Sequence, residues 1–525
     1  MKFLSKSLAL LVTLTMLAPA LAKSDKCHEK EVVKYVQGGA PAPGNGTKEH
    51  PFATLQNAQK DPSWDVLIVL SSKVPLTDGI ILANRKLIGE ENPTCISFSQ
   101  TQPTLTTLGV TVVGNSVIEN LYIKDTTGSA INYDKAENLT VKNVLITGFN
   151  KENSGAVAGI QGNSSSPGET IVEHTIIRNN NGTTGVGISD IPVGVSRKLT
   201  VCNCTFSALT NTGINSVAAG LTTLARIVIR DSYFHDFNGT TGTGVSFNAN
   251  FGGQVTALVK DSSFSNIVTA SGGDHISTGA FSVSGSSVSD LKVKIDRCSF
   301  EEVTTLDSSA AILAGNDSSI SEIIVENSVS MNLAFFFQSI VNHTAVQKNR
   351  LCGNTVTGSV FYGLYNTNTG TLTPVEITDI RGNLFTGGQG ISFQEINPWK
   401  LLKVTAEHNC FTGTQQSDAF IAGKGNAGNA DIFAHKNSFI GFSTDIFDSG
   451  SNINYQVSKN FWGHTPAIPC TGGVCSSPYQ VCKNNVCLGP IVAIAPIFTG
   501  FIDASDPLEE SIKCPNSFCR EEFCK

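Results

Sequence analysis

Apolar and polar residues alternate in short runs along this chain, and the runs recur about a dozen times at a spacing of roughly 22–36 residues. Each closes on the pattern apolar–x–Asn/Asp–x–x–Phe, as in NLTVKNVLI, KLTVCNCTF, RIVIRDSYF and LKVKIDRCSF. The apolar anchors are Val141, Val172, Val201, Ile229, Val259, Ile295, Val325, Ile380, Ala406, Ala434 and Val457. Alternation at period two places Leu139 and Val141 on one face and Thr140 and Lys142 on the other, as in a strand. The runs are rich in Val, Ile, Thr and Phe, which suit strands. Gly/Ser/Asn/Thr stretches such as NNNGTTGVG lie between them and predict turns. A repeat of this length means a solenoid, propeller or array. About three short strands and three turns per repeat predict an all-β fold, a parallel β-helix.

Two columns follow from stacking the copies. Asn143, Asn203, Asp231 and Asp261 sit three residues before the closing apolar position, and later copies move the polar residue one place on, to Asn383, Asn409, Asn437 and Asn460. Stacked, they are expected to satisfy turn backbone groups and one another. Phe206, Phe234, Phe264, Phe300, Phe385, Phe411 and Phe439 are expected to stack inside the coil, each buried ring contributing about 1.5–3 kcal/mol. Both columns read as core. The run Phe335-Phe336-Phe337 must turn one ring outward, toward a covered coil face or a contact patch.

The ends differ from the middle. Residues 1–22 have a basic start at Lys2 and Lys6, the apolar stretch LALLVTLTMLA and the cleavage-like Ala20-Leu21-Ala22, which together read as a signal peptide of bacterial type. The expectation is a secreted protein, extracellular or at the cell surface, with no transmembrane segment in its mature chain. Residues 23–104 are expected to form a cap and the first coils, 105–465 the repeats, and 466–525 a cysteine-rich tail. PFATLQNAQ predicts a short helix with Phe52, Leu55 and Ala58 on one face, plugging the open end of the coil. Of 14 cysteines, Cys470, Cys475, Cys482, Cys487, Cys514, Cys519 and Cys524 crowd the tail. In an exported chain this density predicts a disulfide-stapled cap, and a metal site lacks its C-x-x-C pairs. Cys204 and Cys298, two residues before the Phe, read as small packed residues.

The strings GT…PF-TLQ-A near residue 46, GI-L…LIGE near residue 79 and KNFWG at 459–463 resemble the pectate-lyase-like right-handed parallel β-helix superfamily. The resemblance covers most of residues 32–465 and implies a right-handed coil. The superfamily holds lyases, hydrolases, tailspikes and surface passengers, so the fold leaves the activity open. The R-x-P-x-x-R string of pectate lyases is absent, as are the Asp-Asp pair and G-H-G of polygalacturonases.

The remaining candidate chemistry is sparse. Outward positions beside the anchors carry Lys142, Glu173, Cys202, Arg230, Lys260, Asp296 and Glu326, a column of mixed sign that reads as surface ion pairs. Within it, Arg230 and Lys260 are adjacent and suited to hold a sugar carboxylate, Asp231 and Asp261 being expected to point inward. GGDHIS offers Asp274 beside His275, and YFHDFN offers His235 and Asp236 beside Tyr233, as acid–base pairs. A net charge of −7 with no evident basic stripe argues against nucleic acid. With 3 Trp and 8 Tyr against 29 Phe, few rings are available for a sugar platform. The reading is a surface-associated protein that binds a glycan or a cell-surface partner without catalysis and without a cofactor. The alternative is a lyase or hydrolase of an acidic polysaccharide, working through Arg230, Lys260, Asp274 and His275, with calcium under the lyase reading alone.

Overall fold

The computed structural model describes residues 31–91, 104–151, 157–180, 182, 185–239, 242–269, 279–305, 310–366, 374–396, 399–414, 419–423, 428–448, 453–463, 480–483, 486–494 and 501–509. They form a parallel β-solenoid of about a dozen turns. Each central coil contributes one strand to each of three ladders. In one coil these are Leu224–Arg230, Tyr233–Gly239 and Thr243–Asn250, each pairing in parallel with its counterpart in the next coil, Gln254–Lys260, Ser263–Thr269 and Gly279–Ser286.

The register expected from the repeat is the register observed. Val141, Val172, Val201, Ile229, Val259, Ile295 and Val325 stand opposite one another in succession. One coil escaped the sequence reading: Leu351 pairs with both Val325 and Ile380, in a copy that reads RLCGNTV. Val356 replaces the Phe there, so Asn354, in the shifted position, is all that survives of the motif. The rings stack as expected. Phe206, Phe234, Phe264 and Phe300 follow one another at centroid distances of 4.8, 4.8 and 5.2 Å, and Phe439 lies 4.6 Å from Trp462.

The polar column divides into two positions with different physics. The bend after each first-ladder strand needs a left-handed residue, and Asn143, Asn203, Asp231, Asp261, Arg297 and Asn327 fill it at φ of 49 to 53°. Asn tolerates that region better than most side chains. Asp231 and Asp261 are therefore exposed at the bend, and the expectation that they point inward is corrected. One residue further on, the chain turns inward. There Asn354, Asn383, Asn409, Asn437 and Asn460 form a buried ladder in which each Nδ2 donates to the next Oδ1 at 2.9–3.0 Å. Each of these Oδ1 atoms also accepts the backbone N–H of the preceding ladder residue at 2.9 Å. Earlier coils fill the inward position with Cys204, Ser232, Ser262, Cys298 and Ser328, whose hydroxyls take the same backbone donors. The thiols of Cys204 and Cys298 are free and buried, as expected.

The cap helix is shorter than predicted, Leu55–Lys60, because Thr54 serves as its N-cap and accepts the Asn57 N–H at 3.0 Å. Leu55 and Ala58 are buried against the first coil, with Phe52 just ahead of the helix. All three rings of Phe335-Phe336-Phe337 are buried. Phe335 joins a small outer cluster with Leu313, Ile340, Val360 and Tyr365, the covered coil face that the run required. Val492–Ile494 and Ile502–Asp503 add parallel pairings beyond the last repeat. Of the tail cysteines, Cys482 and Cys487 stand opposite each other in a hairpin, and the other five lie outside the described residues. No helix among the described residues is long and apolar enough to cross a membrane.

Candidate functional site

The first ladder turns Ala225, Ile227 and Ile229 inward and Arg226, Val228 and Arg230 outward, and its neighbours keep that parity. The last outward position stacks Lys142, Glu173, Cys202, Arg230, Lys260, Asp296 and Glu326, the column expected from the sequence. It continues through Cys352, Arg381, Glu407 and His435. Arg230 and Lys260 are direct neighbours, on coils about 4.8 Å apart.

The carboxylates beside them are occupied. Arg297 grips Asp261 with Nε and Nη2 at 2.6 and 2.8 Å, and its Nη1 reaches Asp296 at 3.0 Å. The Arg297 bond holds the Asp261 carboxyl below the usual carboxylate range. Asn327 donates to Asp296 at 3.1 Å, and Lys294 lies 2.7 Å from Glu326. Asp261, Arg297 and Asn327 rim a depression of about 260 Å³ that also touches Ser262, Ser263, Cys298, Ser299 and Val329. Four cations, Lys260, Lys294, Arg297 and Arg350, face three anions, Asp261, Asp296 and Glu326, so the edge is a network of paired charges.

An earlier outward position of the same strands carries a different series: Glu169, Lys198, Arg226, Thr256, Lys292, Glu322, Lys348, Ile377, Lys403 and Asp431. Five of the ten are cationic and three are acidic. Between Lys198 and Lys292 the row holds no acid, a short basic run that the sequence alone did not reveal. Its members lie a coil or more apart in sequence, so no local run of Lys and Arg betrays them.

The second ladder assembles the His235 constellation. His235 Nδ1 and Asp236 Oδ2 share a hydrogen bond of 2.6 Å, and Asn266 donates to the other Asp236 oxygen at 2.6 Å. Asn266 and His235, in that order, lower the Asp236 pKa. Tyr233 stacks on the imidazole at 4.2 Å, and its hydroxyl lies 2.9 Å from that of Ser265. Asp236 is itself a bend residue at φ 58°, so its place is explained by the turn. Asp274 and His275 lie outside the described residues.

Three carboxyl groups have pKa values raised by burial, and the sequence reading missed all of them. Asp190 accepts from the Tyr133 hydroxyl at 2.7 Å and faces Arg197 Nε at 3.9 Å. Arg197 donates to Ala136 O, Ser166 O and Thr170 Oγ1 at 2.8–3.0 Å. Glu376, pushed up to about 7, accepts from Tyr362 and from Asn349 inside the coil. Asp445 accepts the Ile491 N–H at 2.7 Å and so ties the tail to the last repeat. The signal was available in principle. Arg197 shares inward parity with Leu199 and Val201, and Glu376 shares it with Ile380. Among the described residues no three His, Cys, Asp or Glu side chains gather as a metal site would require.

No family model matches the chain, and no curated protein matches it. Among solved structures it is similar to the catalytic unit of a thermostable GH87 alpha-1,3-glucanase from Streptomyces thermodiastaticus strain HF3-3. That likeness has 12% identity and a TM-score of 0.34, over 66% of this chain and 68% of the other. It is also similar to the GH136 lacto-N-biosidase from Eubacterium ramulus, with 10% identity and a TM-score of 0.23, over 90% of this chain and 67% of the other. At these values neither likeness bears on activity.

Proposed function

We propose that this is an exported, non-catalytic β-solenoid that binds a glycan or cell-surface partner along the edge of its first ladder, with Arg230 and Lys260 as the contact for an acidic sugar. One observation carries the reading. Asp261, Asp296 and Glu326 beside that pair each face a cation, while the three carboxyls with raised pKa are buried within the fold, away from any polymer. Glycoside hydrolysis needs two carboxyl groups flanking the bond, one of them a protonated acid. A uronate lyase needs a base able to take a proton beside a neutralised carboxylate. A held edge of paired charges suits recognition, and it needs no cofactor.

Export rests on the signal-peptide pattern of residues 1–22. The right-handed coil and the kinship with pectate-lyase-like proteins rest on the sequence strings that suggested them. The stapled tail is supported by Cys482 standing opposite Cys487, and by the engagement of Cys487 in a disulfide. A glycan array and a polysaccharide-degradation screen of the full chain, calcium supplied, test the proposal. Binding that Arg230→Ala and Lys260→Ala weaken, without unsaturated or reducing-end product, is expected. Product formation abolished by either variant overturns it in favour of an acidic-polysaccharide enzyme.

A further inference from the structure

The turns that lead into the first ladder carry a feature that the edge site does not use. In four consecutive coils these turns present Val193, Leu221, Phe251 and Val288, at 47, 84, 70 and 85% exposure. Ile320, at 55%, follows in the next coil. The turns are held in line by backbone bonds from coil to coil, Gly220 N to Asn250 O at 3.2 Å, Gly252 N to Ser287 O at 3.1 Å and Val288 N to Ser318 O at 2.9 Å. The side chains therefore project from one edge of the solenoid as a staggered ridge, Leu221 and Val288 level with each other, Phe251 one residue earlier and Val193 level with Ala219. Leu221 leans over Gly252, where an added Cβ would lie 2.5 Å from its Cδ2.

The backbone makes the ridge costly. Phe251 sits at φ 53° and Val288 at φ 64°, and a β-branched residue there is a steric outlier. Gly or Asn would fill the same bends without strain, and neither side chain gains packing in return. Strain kept without packing points to a use outside the fold.

The flanks differ. On one side runs the third ladder, whose last outward residues Ala219, Asn250 and Ser286 are neutral. On the other runs the cation row, beginning five residues after Val193 and Leu221 with Lys198 and Arg226, and four after Val288 with Lys292. Lys198 lies 2.7 Å from Glu169, whereas Arg226 and Lys292 have no carboxylate within 4.0 Å among the described residues. The turns of Leu221 and Phe251 hold no acidic residue; the nearest outward acids are Asp290, two residues after Val288, and Asp317 and Glu322 in the next coil.

We propose that this ridge docks the solenoid side-on to an anionic lipid surface, with Leu221, Phe251 and Val288 inserted and Arg226 and Lys292 on the headgroup phosphates. Single side chains standing on narrow turns offer a folded partner little area to match, but a fluid interface closes around each of them. Affinity for such a surface scales with the apolar area inserted plus attraction to anionic headgroups. The ridge and the Arg230–Lys260 edge are separate, so the two proposals stand or fall apart.

Vesicle flotation of the full chain decides it, using phosphatidylcholine with and without phosphatidylglycerol. The chain is expected to float with the anionic vesicles. Leu221→Ser with Phe251→Ser should lower partitioning at least tenfold. Arg226→Glu with Lys292→Glu should remove the preference for phosphatidylglycerol. Arg230→Ala with Lys260→Ala should leave flotation unchanged. Val288→Gly should weaken flotation while holding or raising the melting temperature, which separates loss of the ridge from loss of the fold. No flotation with either vesicle, or flotation indifferent to the ridge variants, overturns the proposal. So does a self-association that Leu221→Ser abolishes, or charge-dependent binding to DNA or heparin without binding to vesicles.

Discussion

Replacing Asn409 by alanine should cost far more than replacing an asparagine in the same motif of an earlier coil. Asn409 is fully buried and works through four hydrogen bonds. Its Oδ1 accepts from the Asn383 backbone N–H and from Asn383 Nδ2, both at 2.9 Å. Its Nδ2 donates to Ile380 O and to Asn437 Oδ1, both at 2.9 Å. Alanine leaves the Asn383 N–H buried without that acceptor, a penalty of about 1–3 kcal/mol, and removes further bonds worth about 1 kcal/mol each. Asn383 Nδ2 keeps Leu351 O and Arg381 O, and Asn437 Oδ1 keeps the Asn409 N–H, which limits the damage. The expected loss is about 3–5 kcal/mol by this count. Asn203, exposed at φ 52°, serves its bend and reaches only the adjacent Cys202 Sγ at 3.2 Å, so Asn203→Gly should stay within about 0.5 kcal/mol. A solenoid need not unfold in one step, so urea titration should be paired with hydrogen exchange read by mass spectrometry. Exchange should rise in Val375–Arg381, Trp399–Glu407 and Gly428–His435 for Asn409→Ala alone. Equal losses for the two variants would refute the division of the polar column into bend and ladder.

Three further outcomes are expected. Phe234→Ala should cost about 3–5 kcal/mol because the ring is stacked on both sides, whereas exposed Thr256→Ala should stay within about 0.5 kcal/mol; thermal melts compare them. Burial raises the Glu376 pKa from the ordinary 4.5 to about 7, so the folded state holds an extra proton between those values. That contribution is complete below pH 4.5, is lost as pH rises through 7, and amounts to roughly 3 kcal/mol; Glu376→Gln should flatten this part of a stability–pH profile. Arg197→Ala should cost about 3–5 kcal/mol by stranding Asp190, and adding Asp190→Asn should recover part of it, as equilibrium unfolding would record.

The architecture was legible because stacking repeats one decision in every coil. Strand parity, the anchor register and the ring column followed from period two and the spacing of the copies. The coil at Leu351 was not found, since valine at its ring position leaves Asn354 as the motif's one remaining mark. Asp231 and Asp261 were placed inward because one residue separates the bend from the inward position, and a one-residue shift in a strand reverses the face. Of the candidate site, the mixed column and the adjacency of Arg230 and Lys260 were foreseen, but Arg297 as the partner of Asp261 was not. Arg297 fills a bend where the earlier copies carry Asn, Asp or, at His174, histidine. The cation row was invisible because its members meet only through the pitch of the coil. Buried Arg197 and Glu376 were passed over because charge was equated with the outward face, although their parity placed them inside.

The free thiols of the middle coils have a consequence for how the protein opens. Cys204 is buried in the ladder, its Sγ donating to the Val172 carbonyl at 3.4 Å, and burial pushes its pKa up to about 12. Cys298 holds the equivalent place three coils on, and its pKa is likewise raised to about 12. Neither forms a reactive thiolate while its coil is closed. A maleimide or iodoacetamide added under native conditions therefore modifies them only during an opening event. Their labelling rates time the local breathing of two separate coils in the unmodified protein, without an engineered probe.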